Sequence, residues 1–153
     1  MDVTCQNPRR RATGRVYDGR AMPPAQAHFL SPLMKKGAEA GAALVVRETG
    51  TALATTVEVA FESEARKRGL LGRASLDPGH ALIIAPCSAV HTFGMQFAID
   101  VVFVAKNGKI LKITREMGPG RVTASLRAFA TIEFRAGTVE AIGVSAGQHL
   151  EVR

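Results

Sequence analysis

The chain has no tryptophan, a single tyrosine (Tyr17) and only two cysteines in 153 residues. None of its apolar runs approaches the ~20 residues that a membrane helix needs. Each shortage excludes something. With no tryptophan, and with its one tyrosine near the N-terminus, the chain lacks the interleaved aromatic and basic residues of a platform for stacking single-stranded nucleic acid. Cys5 and Cys87 are too few for a disulfide framework and have no zinc-ligand spacing. His80, His91, His149, Asp100 and Glu133 are available as ligands, but no HxH, HxxxH or CxxC spacing groups them, so neither a metal nor a cofactor is expected. The start, MDVTCQNPRRRATGR, carries basic residues with no apolar stretch of about 7 to 15 residues behind them, so neither a secretory signal nor a twin-arginine leader is complete. Cytoplasmic is the default location on that reading.

What is present is the composition of an ordinary globular domain, 46% hydrophobic and 22% charged, at a length suited to one domain. The net charge of +7 is unevenly placed. Residues 1–36 hold seven Lys/Arg against two Asp, a net +5, while the remainder holds thirteen basic against eleven acidic side chains, a net +2. The body is nearly balanced, so specific nucleic-acid binding is not expected. Residues 1–36 also carry Pro8, Pro23, Pro24 and Pro32 and no sustained period, which reads as a flexible or irregular basic extension before a single domain over 37–153. Met34, followed by two lysines, is a candidate alternative start of translation.

From residue 41 the chain breaks into short strand-like runs punctuated by glycine and proline. GAALVVR (41–47), ALATTVEVA (52–60), ALIIA (81–85), AVHTFGM (89–95), AIDVVFVA (98–105), KILKITR (109–115), FATIEFR (129–135) and QHLEVR (148–153) give about eight strands. SEARKRGLLG, from Ser63 to Gly72, is the best helix, and AGTVEAIGV allows at most a helical turn. Asn107 and Gly108 between two runs predict a hairpin with a type I′ turn. The fold class expected is mainly β, a compact β-sandwich or partly open barrel with one short helix.

The order of RGLLGR, DPGHALIIAP, HTFGMQFAIDVVFV, NGKILKI, EFRAGT and GVSAGQHLEV resembles the bacterial and archaeal family called Domain of Unknown Function 192, from about Val57 to Val152. The resemblance implies a compact, mainly β, sandwich-like fold and no established enzymatic activity. The chain departs from the family at Gln148, where an aspartate is common, and at Phe93, Gly94 and Met95, where a Trp-Met pair is frequent.

Several polar residues invite chemistry. Arg68 and Arg73 flank Gly69 and Gly72, where a guanidinium fork could meet a carboxylate or phosphate, or where Arg73 could pair internally with Asp77 or Asp100. Asp100 interrupts an apolar strand and must face solvent or find donors, with Arg73 or Arg68 the expected partner. His91, Met95 and Asp100 lie on segments that a bend at Gly94 could bring together, His91 acting as a base oriented by Asp100 or beside a Cys87 nucleophile. GPGR at 118–121 could offer backbone amides to an anion, with Arg121 adding charge. The leading expectation is a module that binds a small polar or anionic ligand, or a protein partner, through a groove near Arg68, Arg73, His91, Met95, Asp100 and Arg121. The alternative is a small hydrolase using His91 with Asp100 or Cys87, with or without a metal. No template of nucleophile, base and orienter is complete, so no catalytic residue is assigned.

Overall fold

The computed structural model describes residues 28–36 and 41–153; most of the expected N-terminal extension, residues 1–27, lies outside them. Ten strands and three short helices follow in chain order: α1 (Ser31–Lys36), β1 (Leu44–Val46), β2 (Ala52–Ala54), β3 (Thr56–Ala60), α2 (Ser63–Arg68), β4 (His80–Ile84), β5 (Ala89–His91), β6 (Ile99–Val104), β7 (Ile110–Met117), β8 (Val122–Ala124), β9 (Ala130–Arg135), α3 (Thr138–Ile142) and β10 (Leu150–Val152). They form a five-stranded sheet in the order β3-β4-β9-β6-β7, a three-stranded sheet β10-β1-β2 and a two-stranded ribbon β5-β8. The mainly β class expected from the strand pattern is the class observed, and among the described residues no sheet closes into a barrel.

The five-stranded sheet is covered on both faces, which explains why β6 reads IDVVFV with every residue buried. Period-2 alternation sends Val102 and Val104 to one face, where they join Ala130, Ile132 and Phe134 of β9, Leu44 and Val46 of β1, Leu150 of β10, and Leu30 and Leu33. Ile99, Val101 and Phe103 go to the other face and pack with Leu70, Leu76, Val90 and Met95. Two cores on one sheet therefore leave no solvent-facing side along β6.

Three differences from the sequence pattern have local causes. ALATTVEVA is two strands, because the chain leaves one sheet and enters the other at Thr55, where the amides of Thr55 and Thr56 both donate to the Gly79 carbonyl, at 2.9 and 3.1 Å. VTA (Val122–Ala124) is a strand, though its run is too short and too polar to stand out. The β6–β7 hairpin is present, but its turn is not type I′. Gly108 alone of the expected pair takes a left-handed conformation, with φ 84°. The amides of Gly108 and Ala105 donate to the carbonyls of Ala105 and Lys109, both at 2.9 Å, which is a type I turn followed by a glycine bulge. A Cβ at Gly108 would collide with the Leu150 carbonyl oxygen, so glycine is required for approach as well as for φ.

The described part of the extension is packed onto the domain. Phe29, Leu30 and Leu33 are buried in the first core, and the Phe29 amide donates to the Lys106 carbonyl at 3.0 Å. A domain beginning at Met34 would leave that surface uncovered. Leu30 is fully buried, so Leu30→Ala is expected to destabilise the full chain by about 2–5 kcal/mol in urea unfolding. A loss below about 1 kcal/mol would mean that residues 28–33 are not a working part of the core.

Candidate functional site

Asp100 is fully buried, and alternation along β6 turns it away from the face of Ile99 and Val101. Its partners are not arginines. Oδ1 accepts from the Glu116 amide at 2.8 Å and Oδ2 from the Val139 amide at 2.9 Å. The expected pairing of Asp100 with Arg73 or Arg68 is thus replaced by two charge-assisted bonds from backbone, which satisfy a buried carboxylate without a counter-charge. Val139 lies in the first turn of α3, whose N-cap, Gly137, makes no side-chain cap. Asp100 supplies from a neighbouring strand the acceptor that an N-cap side chain would otherwise give.

The other amide belongs to a strained residue. Glu116 has φ 47° and is the one non-glycine with positive φ among the described residues. It lies where the β6–β7 register slips, between the pairs Ile99↔Met117 and Val101↔Thr114. One extra β7 residue therefore stands opposite β6, the signature of a bulge, at a conformation in which glycine is the natural occupant. A glutamate there costs about 1 kcal/mol. The bulge separates two neighbours: Arg115 pairs with Glu140 of α3 at 3.0 Å, whereas Glu116 lines a cleft on the other side.

That cleft, of about 750 Å³, lies between β7 and β8 and is lined by Lys112, Thr114, Glu116, Arg121, Val122 and Thr123 together with the Met117–Pro119 turn. Its floor is fixed by a hydroxyl pair, Thr114 Oγ1 and Thr123 Oγ1 at 2.9 Å. Its turn is fixed by Thr92, which is fully buried. The Thr92 hydroxyl donates to the Gly118 carbonyl at 2.7 Å and accepts from the Arg121 amide at 3.0 Å, and its carbonyl accepts from the Gly120 amide at 3.0 Å. The amides of Gly120 and Arg121 are therefore engaged by Thr92, and what the GPGR turn offers a ligand is the exposed Arg121 side chain. Lys112 Nζ donates to the Ala124 carbonyl at 3.0 Å. None of Lys112, Glu116 and Arg121 forms an ion pair among the described residues.

Arg73 lies in the crossover between α2 and β4, on the face of the sheet opposite Asp100. Its two terminal nitrogens donate to Glu58 at 3.0 and 2.7 Å, which holds the Glu58 carboxyl below its ordinary range. Its internal carboxylate is thus Glu58 of β3, not Asp77 or Asp100. Glu58, Leu82, Glu133 and Val101 form one row across four strands. Glu133 is 3% exposed and its Oε2 has no hydrogen-bond partner among the described residues. Burial pushes its carboxyl up to about 7, against a smaller opposing pull from Arg73. The alternating run FATIEFR gave no sign of this, because alternation alone sends Glu133 to solvent and only the second core covers it.

The remaining candidates are dispersed. His91 is on the ribbon, half-buried, with Nδ1 accepting from the Phe93 amide at 3.3 Å and its ring 5.0 Å from that of Phe93. Both Asp100 oxygens are held by backbone, so Asp100 does not orient His91. Cys87 is 2% exposed and is not a free thiol, which removes the nucleophile from a Cys87–His91 pair. Met95 is a core residue, and Arg68 is exposed at the end of α2. No group of three or more metal-ligating side chains occurs among the described residues, and none of their helices is long and apolar enough to cross a membrane. Of the sequence candidates, Arg121 lines the cleft, and Asp100 reaches it only through the Glu116 amide; Lys112 and Glu116 were missed, one reading as a strand lysine and the other lying just past the KILKITR run.

Comparison with known proteins agrees with this architecture. The model of the family DUF192, described as Uncharacterized ACR, matches residues 44–152, and the chain belongs to that family. The fold is similar to a protein from Sinorhizobium meliloti 1021 described in its crystal structure as a candidate transcription regulator, with TM-score 0.64, 26% identity, and coverage of 72% of this chain and 91% of that one. It is also similar to a protein of unknown function from Novosphingobium aromaticivorans DSM 12444, with TM-score 0.63, 17% identity, and coverage of 72% and 82%. No curated protein matches the chain.

Two stability measurements follow from these environments. In Asp100→Asn one backbone amide faces an NH₂ group in place of an acceptor, and the expected loss in urea unfolding is about 2–4 kcal/mol; a loss under about 1 kcal/mol would show that the bulge and α3 hold without the carboxylate. For Glu133 the folded value of about 7 exceeds the ordinary 4.5, so its contribution is present below pH 4.5 and is lost as pH rises through 7, on the order of 3 kcal/mol in all. Glu133→Gln is therefore expected to match the parent near pH 4.5 and to exceed it in stability near pH 8. Parallel stability-pH curves for the two proteins would show that Glu133 finds a donor.

Proposed function

We propose that this domain is a binding module for a small anionic or polar ligand, which it takes in the cleft between β7 and β8. The observation that carries this reading is an open cleft lined by three charged side chains, Lys112, Glu116 and Arg121, that form no ion pair among the described residues. Exposed arginines elsewhere divide: Arg47 and Arg153 pair with Glu151 and Arg115 with Glu140, whereas Arg68, Arg127 and Arg135 form no ion pair among the described residues; what marks the cleft is that three such charges line one cavity. Two cations against one anion leave the cleft with an excess of positive charge, and Arg121 offers a planar fork suited to carboxylate or phosphate. The Thr92 bonds and the threonine pair fix the walls beforehand, which lowers the ordering cost of binding. Nucleic acid is a poorer occupant, since the longest helices among the described residues have six residues and the cleft holds a carboxylate.

The test is a ¹H-¹⁵N NMR titration of the full chain with inorganic phosphate and with glutarate. Saturable shifts confined to residues 112–124 are expected, and Arg121→Gln should weaken them about tenfold, the scale of one charged hydrogen bond. Shifts that spread over the surface, follow ionic strength and survive in Arg121→Gln would overturn the proposal.

A further inference from the structure

The ligand of an anion site would be repelled by a carboxylate, yet the fold takes particular trouble to put one in this cleft. Glu116 occupies the left-handed position of the β7 bulge, where a glycine would carry no strain. It is held there by Asp100, itself fixed at its other oxygen by Val139. The bulge separates Arg115, which pairs with Glu140 of α3, from Glu116, which lines the cleft. Strain of this kind persists only where the surroundings over-determine it, and bulges re-aim side chains at sites of function.

We infer that the cleft recognises a ligand bearing an ammonium group alongside its anionic group, with Glu116 accepting from the ammonium and Arg121 and Lys112 meeting the anion. This rests on the anion-binding reading above and adds the ligand's second charge. Two cations and one carboxylate best match a ligand with one more negative than positive charge, such as an amino dicarboxylate or a phosphorylated amine. A dicarboxylate without the amine would leave Glu116 facing like charge in a confined space.

Matched probes isolate the amine. Glutarate against glutamate, and methyl phosphate against phosphoethanolamine, are titrated into the full chain by NMR at constant ionic strength, the two pairs separating carboxylate from phosphoryl chemistry. In at least one pair the ammonium-bearing member is expected to bind about tenfold tighter. Glu116→Gln should make that pair equal, while Arg121→Gln should weaken both members. Glu116→Gly serves as the second variant, since glycine suits the bulge: it should raise the melting temperature and also make the pair equal. Equal affinities in the parent, or a preference that survives in Glu116→Gln and Glu116→Gly, would overturn this inference and leave the anion site standing. Failure of all four probes to bind would overturn both.

Discussion

A carboxylate in the middle of an apolar strand must be answered by donors, and in this fold the answer comes from backbone. Asp100 joins three segments far apart in sequence: the start of β6, the bulge near the end of β7 and the first turn of α3. Side-chain donors could relax by changing rotamer, but amides can move only with the chain that carries them. The two bonds therefore set where β7 departs from regular pairing and where α3 begins. The cleft inherits its shape from that arrangement, because the bulge decides which of Arg115 and Glu116 faces it.

Much of the fold was legible because most strands are short apolar runs between glycines and prolines, and because the ordered motifs of the family are specific as a set. The site was less so. Asp100 was visible as an anomaly, and the need for donors followed from physics, but arginine was the expected donor since backbone donors leave no mark in a sequence. Arg73 and Asp100 were joined in that expectation, whereas alternation along β3 and β6 sends Glu58, with its Arg73, and Asp100 to opposite faces of one sheet. Glu116 had no signal at all. Its importance lies in a dihedral angle, and a bulge one residue long does not disturb an alternating pattern enough to be read. Glu133 was hidden for a related reason: a strand covered on both faces can look like one covered on a single face.

The two faces handle charge differently. On the first, Asp100 is fully buried and fully bonded. On the second, Arg73 and Glu58 form a two-bond fork that is a little over one-third exposed on each side, and a pair so placed contributes at most about 1 kcal/mol. Beside it Glu133 has no hydrogen bond at Oε2 among the described residues. Magnitude separates the roles, since losing an acceptor from two buried amides costs more than loosening a half-exposed ion pair. The first face is an anchor, and the second carries an unmet demand for a donor.

That demand has a calorimetric consequence. Between the ordinary glutamate range and about pH 7 the folded domain keeps a proton on Glu133 that the unfolded chain does not hold. Unfolding near pH 6 therefore delivers a proton to the surrounding buffer, and the heat recorded in the transition includes the heat of that buffer's protonation. In phosphate, whose protonation enthalpy is small, and in an amine buffer, whose protonation enthalpy is large, the same domain would unfold with different apparent enthalpies. One orphaned oxygen in the middle of a sheet thus makes the measured heat of unfolding a property of the solution as well as of the protein.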